Sequence, residues 1–282
     1  MSVYIGTSGF AYPEWDGFFY PPAIPARDRL IYYADRFGAV ELDSFFYHLP
    51  RPEMVRKMVR RTRKEFRFTV KLHRSITHEF DLCGAEFSGF TRAVGPLVEA
   101  GRLGAVLAQF PPAFQCTRDA VHTLRAIREE LADLPLTVEF RHRSWNRPET
   151  FDFLRKHQIA FCGVDEPNLD YLLPAEMNEA IPVTAAHAYI RLHGRNSSKW
   201  LHARSAAERH NYLYSEPELE EWAHRIEALR EKASSVYVMF SNVYRAQAVT
   251  NARWLAHRLG LPTSFATRKS APAEQTELSL AS

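Results

Sequence analysis

Short runs of apolar and β-branched residues alternate with stretches of helical periodicity along nearly the whole chain. Such short runs, bounded by turn residues, are typical of buried strands. Eight strands are predicted, at residues 3–8, 39–44, 67–73, 105–110, 135–141, 159–165, 186–193 and 235–241. Apolar residues spaced three and four apart predict amphipathic helices between most of them, as in the set Val121, Leu124, Ile127 and Leu131.

Strands that alternate with helices predict a single-domain TIM-like (β/α)8 barrel, since right-handed crossovers place each helix outside a parallel sheet. The barrel pattern is least clear at residues 166–185, where Pro167, Pro174 and Pro182 interrupt any sixth helix. An open, doubly wound sheet is therefore the alternative fold. Residues 1–262 form the predicted barrel domain, and residues 263–282, which lack apolar periodicity, form a predicted flexible tail.

The links that follow strands are longer than the links that precede them. The long ones are predicted at 9–27, 74–85, 166–185 and 194–216. Because these loops gather at the carboxyl ends of the strands, where barrel enzymes carry their sites, we expect the functional site at that end.

Composition narrows the class of protein. With 46% hydrophobic and 24% charged residues, the chain is typical of a globular domain, and its net charge of +3 does not indicate a dedicated nucleic-acid binder. Cys83, Cys116 and Cys162 form no CxxC pair, which favours reduced thiols. No signal-peptide pattern and no apolar run of about 20 residues is present, so we expect a cytoplasmic protein with no membrane segment. Familiar dinucleotide, phosphate-loop, zinc-protease and esterase motifs are also absent.

Polar residues recur with a period of two near the ends of several strands. Alternate side chains of a barrel strand point into the lumen, so this pattern predicts a cluster of ionisable groups in the upper lumen. The candidates are Glu41, Asp43, Lys71, Gln109, Glu139, Arg141, Asp165, Arg191, His193 and Asn242.

Four interpretations of this cluster stay open. In the first, the barrel is filled by structural ion pairs, namely Arg191 with Glu139, Lys71 with Glu41 and Arg141 with Asp165. In the second, Glu139 is a general base, with His193 or Lys71 as the proton donor. A divalent metal held by carboxylates and His193 is a third, which the interleaved cations disfavour. A Schiff base at Lys71 is the least favoured, because nearby carboxylates oppose the lowered pKa that it requires.

Aromatic residues in the long loops can stack on a sugar or a base, or can anchor those loops to the barrel. Tyr12, Trp15 and Trp145 are the ligand-binding candidates among them. A nucleic-acid partner is the competing hypothesis. Its surface would use basic residues of the later loops, namely Arg143, Arg195, Lys199, Arg204 and Arg209.

Several stretches, in this order, resemble the YecE-like family, a domain of unknown function numbered 72. They are residues 5–9 (IGTSG), 19–21 (FYP), 40–47 (VELDSFFY), 68–71 (FTVK), 76–78 (ITH), 109–112 (QFPP), 138–141 (VEFR), 144–145 (SW), 189–194 (YIRLHG) and 236–242 (VYVMFSN). The resemblance covers about residues 3–260 and implies a TIM-like barrel with no settled activity. Asp43 and Ser241 each stand where the family usually has Asn.

Taken together, these patterns predict an enzyme that acts by acid–base chemistry on an anionic sugar- or nucleoside-like compound. Glu139, His193 and Lys71 are the predicted catalytic residues, and the other candidates bind the ligand. A nucleic-acid binder, including a metal-assisted phosphodiesterase, and a non-catalytic scaffold are the alternatives. The sequence sets neither a cofactor nor an oligomeric state.

Overall fold

The computed structural model describes residues 1–200, 202–203 and 205–264. Its eight strands form one parallel sheet in the order β1-β8-β7-β6-β5-β4-β3-β2. The predicted strand positions are confirmed to within a few residues. The strands are β1 (Ser2–Thr7), β2 (Ala39–Leu42), β3 (Arg67–Lys71), β4 (Leu103–Gln109), β5 (Leu136–Glu139), β6 (Ala160–Asp165), β7 (His187–Leu192) and β8 (Ser235–Phe240).

The sheet curls into a nearly closed barrel because β1 and β2 meet at its two edges. The Gly38 amide donates to the Ile5 carbonyl at 3.2 Å, and the Gly9 amide donates to the Glu41 carbonyl at 2.8 Å. Gly6 permits this approach, since a Cβ atom at Gly6 would lie 2.0 Å from the Ala39 carbonyl oxygen. The predicted TIM-like barrel is confirmed, and the open doubly wound sheet is excluded.

Ten α-helices are found in the described ranges. They are α1 (Arg29–Ala34), α2 (Pro52–Arg60), α3 (Arg74–Thr77), α4 (Gly84–Glu99), α5 (Arg118–Glu130), α6 (Pro148–Lys156), α7 (Ser197–Trp200), α8 (Ala206–Arg209), α9 (Glu216–Arg230) and α10 (Gln247–Arg258). Between β6 and β7 the described chain forms only a 3-10 turn, Ala175–Asn178, in agreement with the prolines there.

Local sequence explains where the longer helices begin. The Thr117 hydroxyl accepts from the Ala120 amide at the start of α5. Ser215 and Glu218 form a reciprocal capping box at the start of α9. Such caps satisfy amides that have no partner inside the helix.

Two apolar layers confirm the strand register. The outward side chains, such as Val138, Phe140, Ile190 and Leu192, join the helices in one large core. A smaller cluster fills the lower lumen with Ala39, Ala105, Leu107, Cys162, Val164, Tyr189, Tyr237 and Met239. The lumen is therefore packed below, and the polar groups lie above that packing, towards the carboxyl ends of the strands.

The predicted tail lies almost entirely outside the described residues, which end at residue 264. None of the described helices is both long enough and apolar enough to cross a membrane.

Candidate functional site

Arg191 of β7 occupies the centre of the upper lumen. Its guanidinium donates to Glu41 of β2 at 2.7 Å and to Glu139 of β5 at 2.8 Å. Both carboxylates are fully buried, and Arg191 is 4% exposed. Tyr189 adds a hydrogen bond to Glu41 from below, at 2.8 Å. Because buried carboxylates are costly without cations, this group ties three strands together across the lumen.

Arg141 follows β5 and forms the next tier of the network. Its Nε donates to Glu139, and its Nη1 donates to Glu166 at 2.7 Å. Its Nη2 lies 2.8 Å from Nε2 of His193. Since a guanidinium can only donate, His193 accepts at Nε2 and carries its proton on Nδ1.

The two arginines set the protonation states of their neighbours. Burial disfavours the Glu139 carboxylate, but Arg141 and Arg191 outweigh it and hold the pKa of Glu139 well below its usual range. Burial and the same two guanidinium groups depress the pKa of His193 well below its usual value. At neutral pH the site therefore contains an ionised Glu139 beside a neutral His193.

Glu166 differs from the other carboxylates of the network. It is 8% exposed. Burial raises its pKa to about 7, although Arg141 opposes the shift. Its Oε1 has no hydrogen-bond partner among the described residues. Glu166 therefore changes its protonation state near neutral pH, directly behind Arg141.

Lys71, the last residue of β3, lies at one side of this network. Its ammonium nitrogen lies 3.3 Å from Oδ1 of Asp43 and 4.1 Å from the centre of the Phe46 ring. Burial lowers the pKa of Lys71, and Asp43 only partly opposes that shift. Burial and the charge of Lys71 lower the pKa of the neighbouring His78 to about 4.

A cavity of about 620 Å³ opens above these groups at the carboxyl ends of the strands. Its polar and aromatic lining consists of Ser8, Tyr12, Glu14, Asp43, Tyr47, Lys71, His78, Gln109, Arg141, Tyr171, Arg191, His193, Trp200, Arg209, His210 and Ser241. Arg209, in α8, is an exposed side chain with no ion pair inside the described ranges. The cavity thus has a floor of paired charges and a rim that bears Arg209 and Glu14, neither of which forms an ion pair within the described ranges.

Comparison with known proteins identifies the family of the chain. A family described as "Protein of unknown function DUF72" matches residues 4–276. The chain belongs to the DUF72 family.

One relative aligns with nearly the whole length of this DUF72 protein, and another aligns with part of it. It is 29% identical over 282 residues to the UPF0759 protein YunF of Bacillus subtilis, covering 93% of this chain and 96% of YunF. It is 31% identical over 114 residues to the UPF0759 protein YecE of Escherichia coli K12, covering 40% and 39% of the two chains.

Two solved DUF72 structures share the barrel. The Thermotoga maritima protein TM1631 superposes with a TM-score of 0.84 at 39% identity, covering 92% of this chain and all (100%) of the other. The Enterococcus faecalis protein EF0366 superposes with a TM-score of 0.85 at 26% identity, covering 95% and 99%. The predicted family is confirmed.

Most of the predicted site residues of this DUF72 protein converge as expected. Asp43, Lys71, Gln109, Arg141, Arg191, His193 and Tyr12 line the cavity. Glu41 and Glu139 lie behind its wall, where they hold Arg191. Of the three ion pairs that the sequence suggested, Arg191 with Glu139 is present. The other two are wrong, because Lys71 pairs with Asp43 and not Glu41, and Arg141 pairs with Glu139 and Glu166 and not Asp165.

The predicted position of Asp165 in the lumen is wrong. Cys162 and Val164 are the lumen residues of β6, so Asp165 points outwards. There it accepts hydrogen bonds from Arg195 at 2.9 Å and from Trp222 at 2.5 Å. Successive residues of a strand point to opposite faces, so a shift of one residue exchanges the inward and outward positions. The next inward residue after Val164 is therefore Glu166.

Three other predicted site residues, Asn242, Trp15 and Trp145, do not line the cavity. Asn242 is fully buried and donates to the Tyr212 carbonyl and to Asn251. The indole N–H groups of Trp15 and Trp145 donate to the carbonyls of Val243 and Phe114, each at 2.7 Å. These two side chains therefore anchor loops, the alternative that the sequence left open for them.

Four groups at the site escaped the sequence analysis as site residues. Glu166 lies on the same face as Cys162 and Val164, since it follows them at intervals of two residues. Those two residues are not charged, so the sequence of β6 shows no alternation of polar residues that would mark this face as the inner one. His78 and His210 line the cavity from the connections between strands and helices. These segments have no regular periodicity, so their sequence does not predict which side chains face the cavity. Arg209 was assigned to a nucleic-acid surface, whereas it lines the cavity.

The two alternative partners are a metal ion and a nucleic acid. In residues 1–200, 202–203 and 205–264, no group of three or more His, Cys, Asp or Glu side chains could hold a metal ion. Arg195 and Lys199 are engaged with Asp165 and Glu208. Arg204 lies outside the described residues. A nucleic-acid partner and a metal both stay predictions.

The two departures from the usual family pattern both lie at the cavity. Asp43 forms the ion pair with Lys71, and Ser241 shares a hydrogen bond of 2.7 Å with Ser8. Both residues line the cavity. Asp43 therefore places a carboxylate beside Lys71 at the cavity.

Proposed function

We propose that this DUF72 protein is an enzyme that binds a small anionic sugar- or nucleoside-like compound in the cavity and acts on it by proton transfer. The single observation that carries the proposal is Arg209, which lies at the rim of the cavity above a network of paired charges and has no ion pair within the described ranges. A cation that no described carboxylate engages can attract an anion to the mouth of the cavity.

The size and lining of the cavity support a ligand of this class. Its volume of about 620 Å³ lies within the range of small-molecule sites. Trp200, Tyr171 and Tyr47 supply aromatic surface for a ring, and Gln109 supplies a polar group. The apolar and polar parts of the lining therefore suit a compound with a ring and a charged substituent.

The geometry favours Lys71 over Glu139 as the group that exchanges a proton with the ligand. Glu139 is fully buried, and each of its oxygens accepts a hydrogen bond from an arginine. Lys71 lines the cavity and has a lowered pKa. A general acid or base works best when its pKa is near the working pH. Glu139 then holds Arg141 and Arg191 in place, and neutral His193 offers its Nδ1 proton as a hydrogen-bond donor.

A thermal-shift screen with phosphorylated and carboxylated metabolites tests the proposal. A true ligand raises the melting temperature by binding the folded state alone. We expect the stabilising compounds to lose most of their effect in Arg209→Ala. Arg92→Ala provides the matched control, since Arg92 is an exposed arginine on α4, away from the cavity. If no anionic compound stabilises the wild type more than Arg209→Ala, the proposal fails.

A further inference from the structure

The amino group of Lys71 is held differently from the two guanidinium groups beside it. Arg191 bonds Glu41 and Glu139, and Arg141 bonds Glu139 and a second carboxylate. Within the described ranges, Lys71 has a single ion-pair partner, Asp43, at 3.3 Å. The structure thus contains two fully compensated cations and one buried amine with only one carboxylate.

The surroundings of Lys71 favour the uncharged amine. Lys71 is 8% exposed, and this burial opposes its charged form. The Phe46 ring, whose centre lies 4.1 Å from the nitrogen, partly offsets that effect, since an aromatic face attracts a cation. Burial lowers its pKa, and the positive charge of Arg191 adds to that effect. From the sequence alone, the nearby carboxylates were expected to prevent this shift, but burial outweighs them.

We propose that Lys71 is a catalytic nucleophile whose amine forms an imine with an anionic aldehyde or ketone bound in the cavity. The inference rests on the proposed function, and it names the substrate class of that site. Three features carry it: the amine lines the cavity, a carboxylate lies within reach for proton transfer, and Arg209 at the rim can hold the negative charge of the substrate.

The reaction balances without an oxidant or a reductant. The nitrogen lone pair forms the C–N bond to the carbonyl carbon, and the carbonyl oxygen becomes a hydroxyl group. The nitrogen loses its two protons in turn, with Asp43 as the acceptor, and the same two protons pass to the oxygen, which leaves as water. Amine and carbonyl compound thus give imine and water. The imine withdraws electrons from the adjacent carbon, which makes its C–H bond more acidic, and Asp43 rather than Lys71 then exchanges the proton with the substrate.

Reductive trapping tests the inference. The protein is incubated at pH 7 with glyoxylate, or with pyridoxal 5′-phosphate, in the presence of sodium cyanoborohydride. This hydride donor reduces the imine to a stable secondary amine, and peptide mass spectrometry locates the modified lysine. Lys57 and Lys64 are exposed and serve as internal controls in the same sample. Each unit by which a lysine pKa is lowered raises its uncharged fraction about tenfold at neutral pH.

We expect modification of Lys71 to be severalfold faster than that of Lys57 and Lys64, because burial lowers the pKa of Lys71 and leaves more of its amine uncharged. We expect trapping to slow when an anion that occupies the cavity, such as inorganic phosphate, is added. Lys71→Met abolishes trapping at this peptide.

Equal or slower modification of Lys71 than of the exposed lysines overturns the inference, and the wild-type protein alone decides this. If Lys71 is not trapped but anions still stabilise the protein in an Arg209-dependent manner, the imine is refuted and the anion site stands. If neither effect is found, both proposals fall.

Discussion

Replacing Glu139 with Gln, and separately Lys71 with Met, distinguishes the structural part of the ionic cluster from its functional part. Both side chains are buried and both belong to the same cluster. Glu139 has arginine donors on both of its oxygens, whereas Lys71 has one partner and faces the cavity. We therefore expect opposite effects on the free energy of unfolding.

The magnitudes follow from what each substitution leaves behind. A Gln at 139 has one acceptor oxygen for two guanidinium groups, and its NH₂ group points a donor at one of them. Buried arginines then lose a neutralising charge, so the free energy of unfolding falls by about 3–5 kcal/mol. Lys71→Met removes a charge that burial disfavours, and its partner Asp43 is 32% exposed and regains water. We expect that change to lie within about 1 kcal/mol of zero, of either sign.

Urea denaturation at pH 7, followed by circular dichroism, measures both changes. Equal slopes against urea would show that the unfolding reaction is the same in each variant. Glu130→Gln, at an exposed position in α5, controls for the loss of one negative charge. A loss below about 1 kcal/mol for Glu139→Gln, or an equal loss for both variants, would refute the division of the cluster into a structural and a functional part.

Two further predictions concern other buried polar groups. Burial lowers the pKa of His187 to about 4 from its ordinary 6.5. Between these two pH values His187 is protonated in the unfolded chain but neutral in the folded protein. The free energy of unfolding therefore falls as the pH drops from 6.5 to 4. His187→Gln should make that slope shallower by up to about one proton, and urea titrations across this pH range would detect it. Trp222→Phe removes the donor that binds Asp165 at 2.5 Å, and we expect chemical denaturation to show a loss of about 1–3 kcal/mol, whereas an unchanged midpoint would contradict the bond.

The strand positions and faces followed from the sequence because they are set locally. Alternation places every second residue of a strand on one face, and Glu139, Arg141, Arg191 and His193 stood in that pattern. The same rule gave the wrong residue at Asp165, because the inner face of β6 is apolar and offered no polar partner to mark the register. A local pattern is informative only where the two faces differ.

Which groups meet across the lumen depended on the tertiary structure. The sequence shows carboxylates and cations on inward faces, but barrel closure decides that Arg191 reaches Glu41, and the register of β2 against β3 decides that Lys71 lies beside Asp43. Loop residues such as Arg209 lie at the cavity only through the path of the long connection after β7. The lowered pKa of Lys71 also depends on packing, since desolvation is a property of the folded environment.

The sequence by itself therefore determined the barrel, its family and the faces of most strands, because backbone periodicity and helix amphipathicity act over a few neighbouring residues. The partner of each charge, its protonation state and the shape of the cavity were decided only by the tertiary structure. Those properties depend on distances between residues far apart in sequence and on the exclusion of water, which the order of residues along the chain does not reveal.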